Sequence, residues 1–246
     1  MEDFDKEKVL EEFVLNNPDL DKLERMLDTF NVFETLNMVN VEIKHSNFLA
    51  WMFNPNENHS LGSYFLKQFL KTFYSINKGL INSEVSLFDF EIFDYSDVEI
   101  RREWNNIDVL ILIREEGIDN KNVAIIIENK IKSPETNDQL KRYKKIVNNE
   151  FPNYSKFFIF LTPEDAEPSD DEWIPFKYEY IADLLEDILL HRKDYLSNNV
   201  YNFIVQYKII LRRYLVGNGE IEEICRKIYN KHQKALDLIF EYKPDL

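Results

Sequence analysis

The chain has 246 residues, 44% hydrophobic and 14% aromatic, with a formal net charge of −15. That apolar content excludes a disordered chain, the length suffices to bury a full core, and no apolar run is long enough to span a bilayer. The single cysteine, Cys225, excludes an intramolecular disulfide framework, and the acidic segment Met1–Lys8 has no apolar stretch of the kind a signal peptide needs, so a reducing cytoplasm is the expected location.

Helices are expected over 5–15 and 18–29, the second opened by Asn17-Pro18-Asp19 with proline in its first turn. A third covers 42–54, where Phe48, Trp51 and Met52 recur on one face that belongs in the core, and Asn54-Pro55-Asn56 marks its end. Residues 60–76 repeat that spacing through Leu61, Tyr64, Phe65, Gln68, Phe69 and Thr72. Strands are predicted near 88–93, 97–104, 108–114 and 122–128, the last two forming an antiparallel hairpin through the turn Glu116-Gly117-Ile118-Asp119-Asn120. A helix over 134–149 follows, then a buried strand at 157–161 ended by Thr162-Pro163, and a further strand over 177–181. That strand feeds a helix over 181–191, and from about 194 the chain is mostly helical. No repeat, low-complexity tract or linker interrupts it. The expectation is one α/β domain with a mixed α+β sheet: a helical part at 1–80, a core at 84–192 and a helical part at 194–246.

The middle third concentrates the chemistry. Val109–Ile113 and Val123–Ile127 are continuous apolar runs, as strands buried on both faces read. Asp108 opens the first run, and Glu128-Asn129-Lys130 closes the second. A lone Asp108 would read as the point where a strand meets water. The triplet changes this, because alternation sends Glu128 and Lys130 to one side of the strand. With Asp108 on the neighbouring strand, two carboxylates and an ammonium converge. Carboxylates are hard oxygen ligands for Mg²⁺, a bound cation polarises a phosphoryl oxygen and acidifies water, and a lysine stabilises charge developing on phosphate. A structural salt bridge is the plain alternative. Gln139 and Tyr143, four apart on the helix that follows, weigh against it.

Asp108 followed by Glu128-x-Lys130 resembles the signature of the PD-(D/E)XK nuclease superfamily, and Gln139-x-x-x-Tyr143 resembles the added motif of its RecB-like branch. Upstream, Glu42-Ile43-Lys44-His45-Ser46-Asn47-Phe48-Leu49-Ala50-Trp51 and His59-Ser60-Leu61-Gly62 are similar to the N-terminal region of a bacterial nuclease-like group of that superfamily. The resemblance implies a restriction-endonuclease-like αβββαβ core with helical additions at both ends. It implies a metal-dependent nuclease using Mg²⁺ or Mn²⁺ on nucleic acid, DNA above all, in bacterial defence or DNA processing. Asp108 and Glu128 would be metal ligands, Lys130 the catalytic lysine, and Gln139 and Tyr143 supports of the site or contacts to the nucleic-acid backbone. Glu42 would complete the metal shell, with Glu99 and Glu103 competing for that place. The proline of the family signature is missing, and Ile107 stands there.

The negative balance runs against a clamp on nucleic acid, which needs a basic surface. The charge is uneven, however. Residues 129–156 carry Lys130, Lys132, Lys141, Arg142, Lys144, Lys145 and Lys156 against three acids. A second basic zone holds Lys208, Arg212, Arg213, Arg226, Lys227, Lys231 and Lys234. A catalytically inactive module that keeps the fold and binds nucleic acid or protein is the competing expectation, and either form could work as a homodimer. His45 and His59 have no third ligand at a recognised metal spacing, so hydrogen-bonded histidines are expected. Cys225 reads as a small apolar filler, and Trp51 and Trp104 as core. Five glycines in the whole chain leave little room for a phosphate-cradling loop.

Overall fold

A computed structural model describes residues 2–15, 17–81, 83–115, 121–136, 138–217 and 219–244, with side chains from Lys6 onward. The chain divides into two compact units, Met1–Asn31 with Gly217–Leu246, and Val32–Val216. The expected turn 116–120 lies outside the described residues. Among the described residues no helix is long and apolar enough to cross a membrane.

The first unit is helical, built from α1 (Glu2–Val14), α2 (Pro18–Leu27) and, at the far end of the chain, α10 (Gly219–Glu241). The Asn17 side-chain oxygen caps α2 by accepting from the Leu20 N–H at 3.2 Å, with Pro18 in the first turn as the sequence predicts. Phe13 meets His232 edge to face at 5.5 Å, where α10 kinks. Cys225 is exposed on α10, so the expected filler role is corrected.

The second unit opens with α3 (Val32–Thr35), α4 (Glu42–Phe53), α5 (Tyr64–Ile76) and α6 (Leu87–Ile92). It continues through β1 (Asp97–Trp104), β2 (Ile107–Arg114), β3 (Val123–Asn129), α7 (Gln139–Glu150), β4 (Ser155–Thr162), β5 (Trp173–Lys177), α8 (Tyr178–His191) and α9 (Asn198–Ile210), which runs on into a π-helical stretch, Leu211–Val216. Among the described residues the sheet has the order β1-β2-β3-β4-β5, antiparallel across the first three strands and parallel across the last three. It is the expected mixed α+β sheet.

Two of the predicted strands are displaced. The segment expected as a strand at 88–93 is α6, because Ser86 and Asp89 form a reciprocal capping box: the Ser86 hydroxyl accepts from the Asp89 N–H, and the Asp89 carboxylate accepts from the Ser86 N–H at 2.7 Å. A short apolar run does not by itself separate strand from helix. The last strand ends at Lys177 rather than starting there, and α8 takes over at Tyr178. β1 and β2 form a hairpin through Asn105 and Asn106, both at positive φ (53° and 66°), the two-residue turn whose twist suits paired strands.

Strand alternation sorts the core into two layers. Odd-numbered residues of β2 and β3, such as Val109, Ile111, Ile125 and Ile127, join the large cluster containing residues of α4, α5 and α8. Even-numbered Leu110, Leu112, Ala124 and Ile126 join a smaller cluster with Leu140, Tyr143 and Val147 of α7. The site grows from the ends of these strands.

Candidate active site

β2 starts where β3 finishes, so Asp108 and Glu128 stand at one end of the sheet, just past the last registered pair, Val109 and Ile127. Here the ladder gives way to a side-chain bond: the Asn129 N–H donates to Asp108 Oδ2 at 2.7 Å. β3 remains tied to β4 on its other side, with the Lys130 N–H donating to the Leu161 carbonyl at 2.9 Å.

Glu128 continues the even-numbered face toward α7. Its side chain is buried, and its Oε1 accepts from Gln139 Nε2 at 2.6 Å and pairs with Lys130 Nζ at 2.9 Å. Gln139 is the first residue of α7. The second hydrogen of its amide goes to the Tyr143 hydroxyl at 3.0 Å, and its own oxygen accepts from the Thr136 hydroxyl at 3.1 Å. All five residues singled out in the middle third are therefore in one neighbourhood: Glu128, Lys130, Gln139 and Tyr143 by direct contact, and Asp108 through its bond to Asn129 and its charge.

Glu128 Oε2 is buried and has no hydrogen-bond partner among the described residues. Burial pushes the Glu128 carboxyl up to about 8, with the Asp108 charge adding to the shift and Lys130 opposing it. Burial likewise raises Asp108 to about 6, against the Asn129 hydrogen bond and with a contribution from Glu103. Burial disfavours the Lys130 ammonium, yet its hydrogen bond to Glu128 and the charges of Glu128, Glu42 and Asp108 raise its pKa overall. A buried and a half-buried carboxylate that resist ionisation beside one ammonium are short of positive charge. A hard divalent cation fits such a donor set, and the orphaned Oε2 is the natural place for it. Among the described residues no three His, Cys, Asp or Glu side chains converge as a complete protein ligand set. Mg²⁺ does not require one, since it retains waters and takes substrate phosphate oxygens.

Glu42, at the first position of α4, is already engaged. Its Oε1 accepts from the backbone N–H groups of Ile131, Lys132 and Ser133 at 2.8, 3.2 and 3.1 Å, and the Ser133 hydroxyl reaches both its oxygens. Burial opposes its charge, but these bonds hold the carboxyl below the usual range. In this conformation Glu42 orders the loop after Lys130, and its field reaches Asp108 and Glu128. Of its two competitors, Glu99 is paired with Arg101 and Arg114. Glu103 sits opposite Asp108 in the hairpin, at a positive φ of 53°.

Sequence reasoning missed Asn129. Alternation sends it to the other face of β3, where its Nδ2 donates to the Glu42 carbonyl and to the Ser46 hydroxyl, both at 3.1 Å, and its Oδ1 accepts from the Tyr178 hydroxyl at 2.8 Å. Its place between Glu128 and Lys130 was the available signal. Ser46, Ser133 and Tyr178 gave none. The histidines are structural: His45 bridges the Tyr207 hydroxyl and the Val39 carbonyl, and His59 contacts the Asn54 carbonyl and the Leu61 N–H. Trp104 packs on Phe151 with the Arg101 guanidinium over its ring. A cleft of about 420 Å³ opens beside Lys130, lined among others by Lys132, Ser133, Phe160, Thr162 and Glu164.

A mixed five-stranded sheet among helices, with an Asp on one strand and Glu-x-Lys closing the next, is a restriction-endonuclease-like arrangement. A family model described as PD-(D/E)XK nuclease superfamily matches residues 30–231. The chain belongs to that superfamily. No curated protein and no solved structure matches it.

Proposed function

We propose that the chain is a Mg²⁺- or Mn²⁺-dependent nuclease that hydrolyses phosphodiester bonds in DNA. The observation that carries this reading is Glu128 Oε2, a buried carboxylate oxygen without a partner whose twin oxygen is held by Gln139 and Lys130. Asp108 and Glu128 hold the cation. When bound, the ion polarises a phosphoryl oxygen and acidifies a water for attack. Gln139 fixes Glu128 by one oxygen and leaves the other, which would hold the ion, uncommitted, and Tyr143 backs Gln139, as partners behind a metal ligand commonly do. Lys130 places positive charge beside the reacting phosphate. Glu42 orders residues 131–133, which border the cleft beside Lys130. The family resemblance supports a setting in bacterial defence or DNA processing, and the lone cysteine supports the cytoplasm.

One observation favours a non-catalytic module instead. Much of the basic surface is neutralised: Lys144 is paired with Asp170 and Glu172, Lys208 with Glu186, Arg212 with Asp183, Arg213 with Glu34, Arg226 with Glu222 and Lys227 with Glu223. On α7, Arg142 remains exposed as a phosphate contact, and Lys141 is exposed but paired with Asp138 at 3.3 Å.

The test is incubation with linear and circular DNA in Mg²⁺, Mn²⁺ or EDTA, beside a Lys130→Ala variant. Cutting that needs metal and vanishes in the variant supports the reading, and cutting of the circle identifies an endonuclease. Absence of metal-dependent cutting, with variant and parent alike, overturns it in favour of the binding module.

A further inference from the structure

α4 has a second working face. Glu42 and Ser46 meet Asn129 of the sheet, whereas Lys44, Asn47, Phe48 and Trp51 recur at i, i+3, i+4 and i+7 and line a different cavity of about 480 Å³. Phe33 of α3 and Phe203 of α9 complete its aromatic wall: Phe33 and Phe203 stack at 5.1 Å, and Trp51 meets Phe203 edge to face at 5.6 Å. The cavity shares no lining residue with the cleft beside Lys130, and its volume falls within the range of small-molecule sites.

Its polar features are few and specific. Among the described residues Asn47 Oδ1 is buried with no hydrogen-bond partner, a deficit that costs free energy until an N–H donor arrives. Lys44 is exposed beside the cavity and no ion pair engages it among the described residues. The complementary ligand is flat and aromatic, offers an N–H to an amide, and carries an anion. An acyl chain or an aliphatic side chain would fill the volume but leave Asn47 unpaired.

We propose that this cavity binds a nucleobase together with its phosphate, the ring against the partly exposed Trp51 and Phe203 over a floor of buried Phe33 and Phe48, its edge on the Asn47 amide and its phosphate on Lys44. Adenine matches best, because an amide pairs with its adjacent donor and acceptor, and aromatic side chains are the usual platform for an unstacked base. The base comes either from a nucleic-acid strand or from a free mononucleotide. Only the strand source rests on the nuclease reading.

The experiment is calorimetric titration of the whole chain in EDTA with adenosine 5′-monophosphate, ribose 5-phosphate and a short oligodeoxyadenylate, repeated with Asn47→Leu and Phe203→Ala variants whose melting temperatures are checked. The mononucleotide is expected to bind and ribose 5-phosphate not to, with each variant weakening binding roughly tenfold. Binding of the oligonucleotide alone, with the same loss in the variants, assigns the base to a strand. If neither the mononucleotide nor the oligonucleotide binds, if ribose 5-phosphate binds as well as the mononucleotide, or if binding is unchanged in the folded variants, the proposal is overturned; should Asn47→Leu not fold, Phe203→Ala decides. Because EDTA prevents cleavage, failure here is separate from failure of the nuclease reading, which shows only in metal-dependent cutting.

Discussion

Glu128 and Asn129 are neighbours at the end of β3, each 1% exposed, and their side chains are satisfied very differently. Asn129 faces α4 and α8, and both polar atoms of its side chain are bonded, to Glu42, Ser46 and Tyr178. Glu128 faces α7 with one oxygen held twice over and the other left without a partner. Most buried polar groups in native structures are paired. The unpaired oxygen marks the side of the strand where something else is to bind, and the paired amide marks the side that keeps the strand end in place.

That contrast can be broken by substituting either residue. Glu128→Gln should lower metal-dependent cleavage at least about a hundredfold and abolish the rise in melting temperature on adding Mg²⁺ or Mn²⁺. A variant that still gains stability from metal would show that Glu128 is not a ligand. Its effect on the ion-free protein should be mild or favourable at alkaline pH. Asp108 and Glu128 are both raised, to about 6 and about 8. At these two groups the folded chain holds more protons than the unfolded one between the ordinary carboxylate range and about pH 8, so their contribution falls as pH rises through that window, while His45 and His59, lowered by burial, contribute the opposite slope up to the ordinary histidine range. Melting temperatures measured from the ordinary histidine range up to about pH 8.5 should slope downward in the parent and less steeply in the variant.

Asn129→Ala should do the reverse. Losing the amide strips the Tyr178 hydroxyl of its acceptor and takes a donor from the Glu42 carbonyl and from the Ser46 hydroxyl, which keeps its own bond to that carbonyl, at a cost of about 3 kcal/mol, read as a melting temperature lower by roughly 6–12 °C. Any loss of activity should follow from that loosening and recover at lower temperature. An Asn129→Ala protein as stable as the parent would remove the distinction between the two faces.

Tyr143→Phe sharpens the comparison with the smallest change. Gln139 keeps its bond to Glu128 and loses only the hydroxyl that accepts its other hydrogen. The expected cost is about 1 kcal/mol, with cleavage reduced less than about tenfold. A loss as large as that of Glu128→Gln would mean that Tyr143 touches the substrate.

Much of this was legible before any coordinates. The continuous apolar runs at 109–113 and 123–127 announced buried strands, and a repeat of two put Glu128 and Lys130 on one side and Asn129 on the other. The spacing of Gln139 and Tyr143 placed both on one face of the following helix. The run at 88–93 was misread because its deciding signal was a capping serine outside it. The second basic zone looked like a binding surface because its acidic partners, Glu34, Asp183 and Glu186 among them, come from distant parts of the sequence.

By itself the sequence determined which residues share a strand face or a helix face, because those relations repeat every 2 or 3.6 residues and are set by local backbone geometry. Tertiary structure alone decided who meets whom across long separations. Asn129 reaches Glu42 and Ser46 over 87 and 83 residues, and Glu42 reaches the 131–133 loop over about 90. No periodicity spans such distances. They exist because burying the two layers of the sheet against α4, α7 and α8 carries these polar groups out of water together, where each must find a partner among the others or, at Glu128 Oε2, go without one among the described residues.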